Sequence, residues 1–183
     1  MFKNEKVVQD YLDGKVIVVE NCIDSNQSVN KCLQILEYVD KQLGINEFEK
    51  DSDLIKRRSL INKNSKFYIF IDKLSKKIVG FCLAEQVENA FPINENGFSY
   101  DDTKCDNNTI CGINRIWVSD QMRHKKIATR LLDCVCFNFF YFYKLLPNQL
   151  AFSDPTPNGR LLAKSYCKCD SFLIYNLNNK NCK

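Results

Sequence analysis

A single mixed α/β domain, with strands and amphipathic helices alternating along the chain, is the fold class this sequence predicts. Three observations carry that prediction. The 183 residues suffice for one hydrophobic core and are too few for two. Apolar residues make up 45% and charged residues 26%, the balance of an ordinary soluble domain. Short β-branched runs alternate with stretches whose apolar residues recur at helical spacing. The net charge of +4 is weaker than that of a nucleic-acid binder, so no direct contact with nucleic acid is expected.

The opening residues, Met1-Phe2-Lys3-Asn4-Glu5-Lys6, hold no signal-peptide run. The longest apolar stretch, Phe137 to Leu146, is too short and too interrupted to cross a bilayer. The expectation is an intracellular, soluble protein without membrane association, whose ten cysteines are reduced thiols buried as small apolar side chains. Zinc sites favour Cys pairs two to four residues apart with a second Cys or His pair elsewhere. Here Cys134 and Cys136 point to nearly opposite sides of a predicted helix, and His124 is the only histidine, so no metal is expected.

Along the chain, Lys15-Val16-Ile17-Val18-Val19-Glu20 reads as a first strand. From Ser28 to Leu43, the spacing of Val29, Cys32, Leu33, Leu36, Val39 and Leu43 predicts an amphipathic helix ending at Gly44. Ile45 to Ser65 is polar and reads as a loop with a short helix, with Lys56-Arg57-Arg58 in a solvated turn. Residues 67–71 and 77–84 form a hairpin across Asp72-Lys73-Leu74-Ser75-Lys76. The polar stretch within 86–108 is a loop insertion, either purely on the surface or touching a partner.

A strand over Thr109 to Val118 precedes one long helix, Arg123 to about Tyr143, with Ile127, Ala128, Leu131, Leu132, Val135 and Phe139 in one apolar arc. Leu150-Ala151-Phe152-Ser153 is a short strand. Thr156-Pro157 opens a helix with a threonine cap and proline at its first position, running to about Tyr166. Ser171 to Asn176 is the final strand. No internal repeat divides the chain, and residues 1–183 are one domain.

The unit from Cys111 to Gly159 holds most of the functional signal. A helix N-terminus offers unpaired N–H groups and the positive end of the dipole, which together favour phosphate. Cations at that end are disfavoured unless an anion joins them. The cluster Arg123-His124-Lys125-Lys126 ahead of Ile127-Ala128 is therefore either an anion grip or a solvated basic start.

The segments Cys111-Gly112-Ile113-Asn114-Arg115-Ile116-Trp117-Val118, Met122 to Arg130, and Ala151-Phe152-Ser153-Asp154-Pro155-Thr156-Pro157-Asn158-Gly159 resemble the signature of the cohesin acetyltransferases. These form the sister-chromatid cohesion establishment branch of the GNAT superfamily, and the likeness extends over nearly the whole chain. The resemblance implies a GNAT acyltransferase fold, with a central mixed, mostly antiparallel sheet flanked by helices. It also implies a nuclear, chromatin-associated, acetyl-CoA-dependent lysine acetyltransferase whose substrate is the ATPase head of cohesin's structural-maintenance-of-chromosomes (SMC) subunit. A monomer and a dimer are both compatible with it.

By the same resemblance, Ile116, Trp117 and Val118 hold the pantetheine arm and acetyl group. His124, Lys125, Lys126, Ile127, Ala128 and Thr129 match the pyrophosphate loop, and Thr156, Pro157 and Asn158 match further cofactor contacts. Asp133 and Asp154 match acidic positions at the acceptor lysine, with Ser153 beside them. The family's Cys/His zinc finger has no counterpart in this chain, Asn114 stands where animal members have serine, and Asp133 where they have glutamate.

Neutralising a lysine ammonium of reference pKa about 10.4 costs roughly 4–5 kcal/mol at neutral pH, so a base is needed. The expectation is that Asp154, in an apolar, partly desolvated setting beside Phe152 and Pro155, is that base, and that Asp133 positions the cationic substrate. The plainer roles are helix capping for Asp154, core packing for Trp117, an ion pair with Arg130 for Asp133, and packing or thiolate protonation for Tyr166. Two other functions fit the same residues: a non-catalytic GNAT-like module binding chromatin or cohesin, and a GNAT acting on another protein or a small amine.

Overall fold

The computed structural model describes residues 6–21, 26–45, 61–93 and 111–175. The elements, in chain order, are β1 (Lys6–Asp10), β2 (Gly14–Glu20), α1 (Asn26–Leu43), β3 (Lys66–Asp72), β4 (Ile78–Gln86), β5 (Phe91–Pro92), β6 (Cys111–Val118), α2 (Ile127–Asn138), β7 (Leu150–Ser153), α3 (Pro157–Cys167) and β8 (Leu173–Tyr175). The strands form one sheet in the order β1-β2-β3-β4-β6-β7-β8-β5. All neighbours are antiparallel except β6-β7 and β7-β8, which run parallel. This is the mixed, mostly antiparallel sheet flanked by helices that was expected.

The sheet separates two apolar layers. On one face Val29, Cys32, Leu33, Leu36 and Val39 of α1 pack on Ile17, Phe67, Ile69, Phe81, Leu83 and Trp117. On the other, Ile127, Leu131, Leu132 and Val135 of α2 and Ala163 of α3 cover Val16, Val18, Tyr68, Phe70, Cys82, Ala84 and Phe152. Alternation along each strand sends successive side chains to opposite layers. Gly44 caps α1 with φ +73, and the N–H of Ile45 reaches the Asp40 carbonyl at 2.9 Å.

Four differences from the sequence expectation have physical causes. β1 was not expected, because four of its five residues are exposed and an edge strand with one inward side chain leaves little periodicity. A register shift between Val7 and Gln9 and the charged ends of β1 suit it to a sheet edge. α2 is shorter than predicted at both ends. A 3₁₀ turn at Asp120–Met122 and left-handed His124 and Lys126 precede it, so the cations lie in a loop and not in the helix.

At its far end, Asn138 Nδ2 donates to the Cys134 carbonyl at 3.1 Å, and the chain reverses through Phe142 at φ +64. The reversal brings Leu145, fully buried, back onto the core. An unbroken helix has no room on its buried arc for five consecutive aromatic residues. Within 86–108, Phe91–Pro92 is a short strand paired with β8. Residues 94–108, Lys56-Arg57-Arg58 and most of the expected 45–65 loop lie outside the described residues.

A buried ion pair ties α1 to the sheet: Arg115 Nε of β6 donates to Asp40 Oδ1 of α1 at 2.8 Å, with side chains 8% and 4% exposed. Removing one partner of such a pair strands the other charge, so Asp40→Ala is expected to lower stability by about 3–5 kcal/mol in urea unfolding monitored by circular dichroism.

Candidate active site

The site begins with an interruption in the β4-β6 ladder. Leu83 pairs with Arg115 and Ala84 with Ile113, so Asn114 is the extra residue of a β-bulge. The bulge changes the phase of β6: Cys111 and Ile113 before it, and Ile116 and Val118 after it, all turn towards the α2 layer. Arg115 and Trp117 turn towards α1.

β6 loses its parallel neighbour at the same point. The β6-β7 ladder ends at the pair Ile113 and Phe152, whereas β6 runs on to Val118. The N–H of Ser119 donates to the Val79 carbonyl at 2.9 Å, which sets the alternation of the β4-β6 ladder. Counting back from that bond, Val118 and Ile116 occupy non-hydrogen-bonded pairs with Gly80 and Cys82. Their N–H and C=O groups therefore face away from β4, into the wedge that β7 has left. An extended chain with amides of its own can complete that edge.

Asn114 is held on all sides. Its Nδ2 donates to Glu85 Oε1 at 2.5 Å, and its Oδ1 accepts from Arg115 Nη1 at 3.0 Å. Its carbonyl accepts from Arg115 Nη1 at 2.9 Å and from Ser153 Oγ at 2.5 Å. Glu85, 8% exposed, also takes the Tyr175 hydroxyl on Oε1 at 2.8 Å. Burial, then the charge of Glu85, keeps the Tyr175 phenol well above its ordinary pKa and so a proton donor. Gly112 makes this approach possible, since a Cβ there would lie 2.6 Å from the Tyr175 ring.

At the far end of the wedge lies the basic loop. Arg123, His124, Lys125 and Lys126 are all exposed, and Arg123 pairs with Asp120 at 2.7 Å. His124 has φ +62 and Lys126 φ +59, with residues of negative φ after each. Backbone of alternating hand turns successive N–H groups to one side and forms an anion-binding hollow. Left-handed backbone costs a non-glycine residue of the order of 1 kcal/mol. The loop keeps that strain at the start of α2, where the helix dipole adds positive potential.

The other expected site residues divide. Thr129 and Ala128 are half-buried in the first turn of α2, and Ile127 is buried beneath it. Thr156 caps α3, its Oγ1 accepting from the Gly159 N–H at 3.2 Å, as its sequence position implied, while Pro157 and Asn158 are exposed beside it. Trp117 gives the wedge no side chain. Its ring is 8% exposed in the α1 layer, edge-on to Tyr38 at 5.6 Å, so any cofactor contact there comes from its backbone.

Asp133 does not pair with Arg130. It accepts the Tyr166 hydroxyl at 2.9 Å, while Arg130 forms two bonds to Asp13 at 2.7 and 2.9 Å. Burial, then Cys136 and Asp133, pushes the Tyr166 phenol far above its ordinary value, which makes it a poor acid for a departing thiolate. Cys134 and Cys136 do diverge, one towards Tyr11 and the other towards Tyr166.

Asp154 is exposed, so the apolar, partly desolvated setting expected of a base is absent there. It sits instead on strained backbone, φ +24, where β7 turns away from the wedge. The residue that sequence reasoning missed is Glu85. Its signal was a carboxylate ending the apolar run Ile78-Val79-Gly80-Phe81-Cys82-Leu83-Ala84.

Residues 107–175 match the family model described as ESCO1/2 acetyl-transferase. N-acetyltransferase ESCO2 of Mus musculus is 35% identical over 187 residues, covering 97% of this chain and 29% of its own length. N-acetyltransferase ESCO1 of Homo sapiens is 33% identical over 194 residues, with 97% and 22% covered. The chain thus spans less than a third of either relative. Among solved structures, the xEco2 acetyltransferase domain bound to a CoA conjugate is similar at TM-score 0.80 and 35% identity, covering 95% of this chain and 98% of that one. A second structure of the xEco2 acetyltransferase domain is similar at TM-score 0.76 and 34% identity, with 96% and 98% covered.

Replacing Asn114 by Ala would take one donor from Glu85 and one acceptor from Arg115. A loss of about 1–3 kcal/mol is expected in thermal or denaturant unfolding, the cost of leaving buried polar groups short of partners.

Proposed function

The chain belongs to the ESCO1/2 acetyltransferase family, and on that footing we propose that it transfers the acetyl group of acetyl-CoA to lysines on the ATPase head of cohesin's SMC subunit, in the nucleus. The observation that carries the transfer reading is the wedge between β6 and β7, an open strand edge with a basic hollow at its end. Those parts fit the cofactor. The edge at Ile116 and Val118 offers amide partners to an arm that itself contains amides, and the loop from His124 to Thr129 offers N–H groups and cations to a pyrophosphate. When bound, acetyl-CoA supplies an acetyl thioester, an acyl group that an amine can take.

The chain's own residues then have defined tasks. The outward N–H of Val118, fixed by the sheet before any substrate arrives, is the donor for a carbonyl oxygen that gains charge during acyl transfer. Asp154, exposed next to Ser153 near the apex, and Asp133, half-buried on α2, attract and orient a cationic side chain. Thr156, Pro157 and Asn158 line the start of α3 on the β7 side and complete the cofactor wall. Ser153 holds the Asn114 carbonyl and with it the apex of the wedge.

Incubation with acetyl-CoA and a recombinant cohesin SMC head fragment, followed by mass mapping, should place acetyl groups on head lysines. Labelled acetyl-CoA without any transfer to the head would sink the substrate assignment. A double variant, Lys125→Ala with Lys126→Gly, should bind acetyl-CoA roughly two- to thirtyfold more weakly, at 0.2–1 kcal/mol per exposed charge lost. Its salt dependence in calorimetric titration should be shallower than that of the parent. Stability should not fall, because glycine relieves the left-handed strain at residue 126.

A further inference from the structure

Glu85 is a carboxylate in an unusual position. It is 8% exposed on β4, one side chain from the residue at which β6 and β7 part. Both its donors, the Asn114 amide and the Tyr175 hydroxyl, converge on Oε1. Oε2 has no partner among the described residues, and it is not one of the unpartnered polar atoms sealed from solvent. Among the described residues no cation touches the carboxylate. Arg115 reaches it only through Asn114 and is itself paired with Asp40.

A carboxylate with little water and no counter-ion attracts an incoming ammonium strongly, because the field is poorly screened. Its immobilised oxygen leaves the other free to receive a proton at a fixed position. Asp154 has neither the burial nor the fixed partners.

We propose that Glu85 is the group that accepts the proton of the substrate lysine, through Oε2. The inference rests on the acetyl-transfer reading above. In the balanced reaction, one of the three ammonium protons passes to Glu85 and then to solvent, and the neutral nitrogen forms the C–N bond as the thioester C–S bond breaks. A second proton goes to the departing thiolate, and the third stays on the amide. Neither oxidant nor reductant is needed.

Around Glu85 the titratable and charged groups are Tyr175 on β8, Arg115 and Cys111 on β6, and Asp40 on α1. Burial holds both the Tyr175 phenol and the Cys111 thiol well above their ordinary values. Neither therefore contributes an acidic limb to the pH–rate profile.

The test compares the parent with Glu85→Gln and Tyr175→Phe, using acetyl-CoA with a cohesin SMC head fragment and, separately, a lysine-rich model peptide. Glutamine keeps an oxygen for the Asn114 and Tyr175 donors. Glu85→Gln should lower kcat at least about a hundredfold, with Kd for acetyl-CoA and Tm nearly unchanged, and should abolish the acidic limb of the pH profile. Tyr175→Phe removes one of the donors that fix Oε1 and should lower kcat by less than Glu85→Gln does. Retention of kcat by Glu85→Gln, or a loss matched by equal loss of cofactor affinity or stability, overturns the proposal. Parent activity on the peptide but not on the head would refute the substrate assignment alone and leave the Glu85 comparison to be read on the peptide.

Discussion

The bulge at Asn114 is the constraint on which the rest of the site depends. One extra residue on β6 changes the phase of that strand and faces Ile116 and Val118 towards α2. It lies where the parallel ladder to β7 gives out. A bulge stores strain and leaves polar groups unpaired unless something satisfies them. Here Glu85, Arg115 and Ser153 take up the side chain and carbonyl of Asn114.

The same cluster sets the electrostatics. Arg115 is balanced by Asp40 within the α1 layer, so the positive charge nearest the wedge is already committed. Glu85 is held by neutral donors alone and stays the least compensated carboxylate in the described interior. At the opposite end, exposed cations surround a hollow of N–H groups. Negative potential at the apex and positive potential at the mouth would orient a molecule that carries phosphates at one end and meets an ammonium at the other.

Much of the fold was legible because it follows from periodicity. The α1 stripe from Val29 to Val39, the hairpin of β3 and β4, and the Thr156 cap all occur where residue spacing placed them. β1 was not legible, since an exposed edge strand has no apolar face to reveal it. The true start of α2 was hidden because lysine and histidine are not residues that announce left-handed backbone.

The site was legible in part. Resemblance marked the basic loop and the strand at Ile116 to Val118; the ladder geometry gives the strand a physical reason, and the left-handed His124 and Lys126 give the loop one. Neither spacing nor resemblance singled out Glu85, because its partners Asn114 and Tyr175 are 29 and 90 positions away. Long-range polar contacts leave almost no trace in local pattern. The desolvated setting expected at Asp154 is absent for the converse reason: apolar neighbours in sequence, Phe152 and Pro155, do not enclose a residue at a turn.

The Arg115 guanidinium bonds at once to α1, through Asp40, and to the carbonyl and side chain of Asn114. It works as a rigid tie-rod between a surface helix and the apex of the wedge. A load placed on the outer side of α1 would pull on the bulge itself, and the width of the wedge would register it. The helix farthest from the basic loop in the layering of the fold is thus mechanically the nearest to the apex.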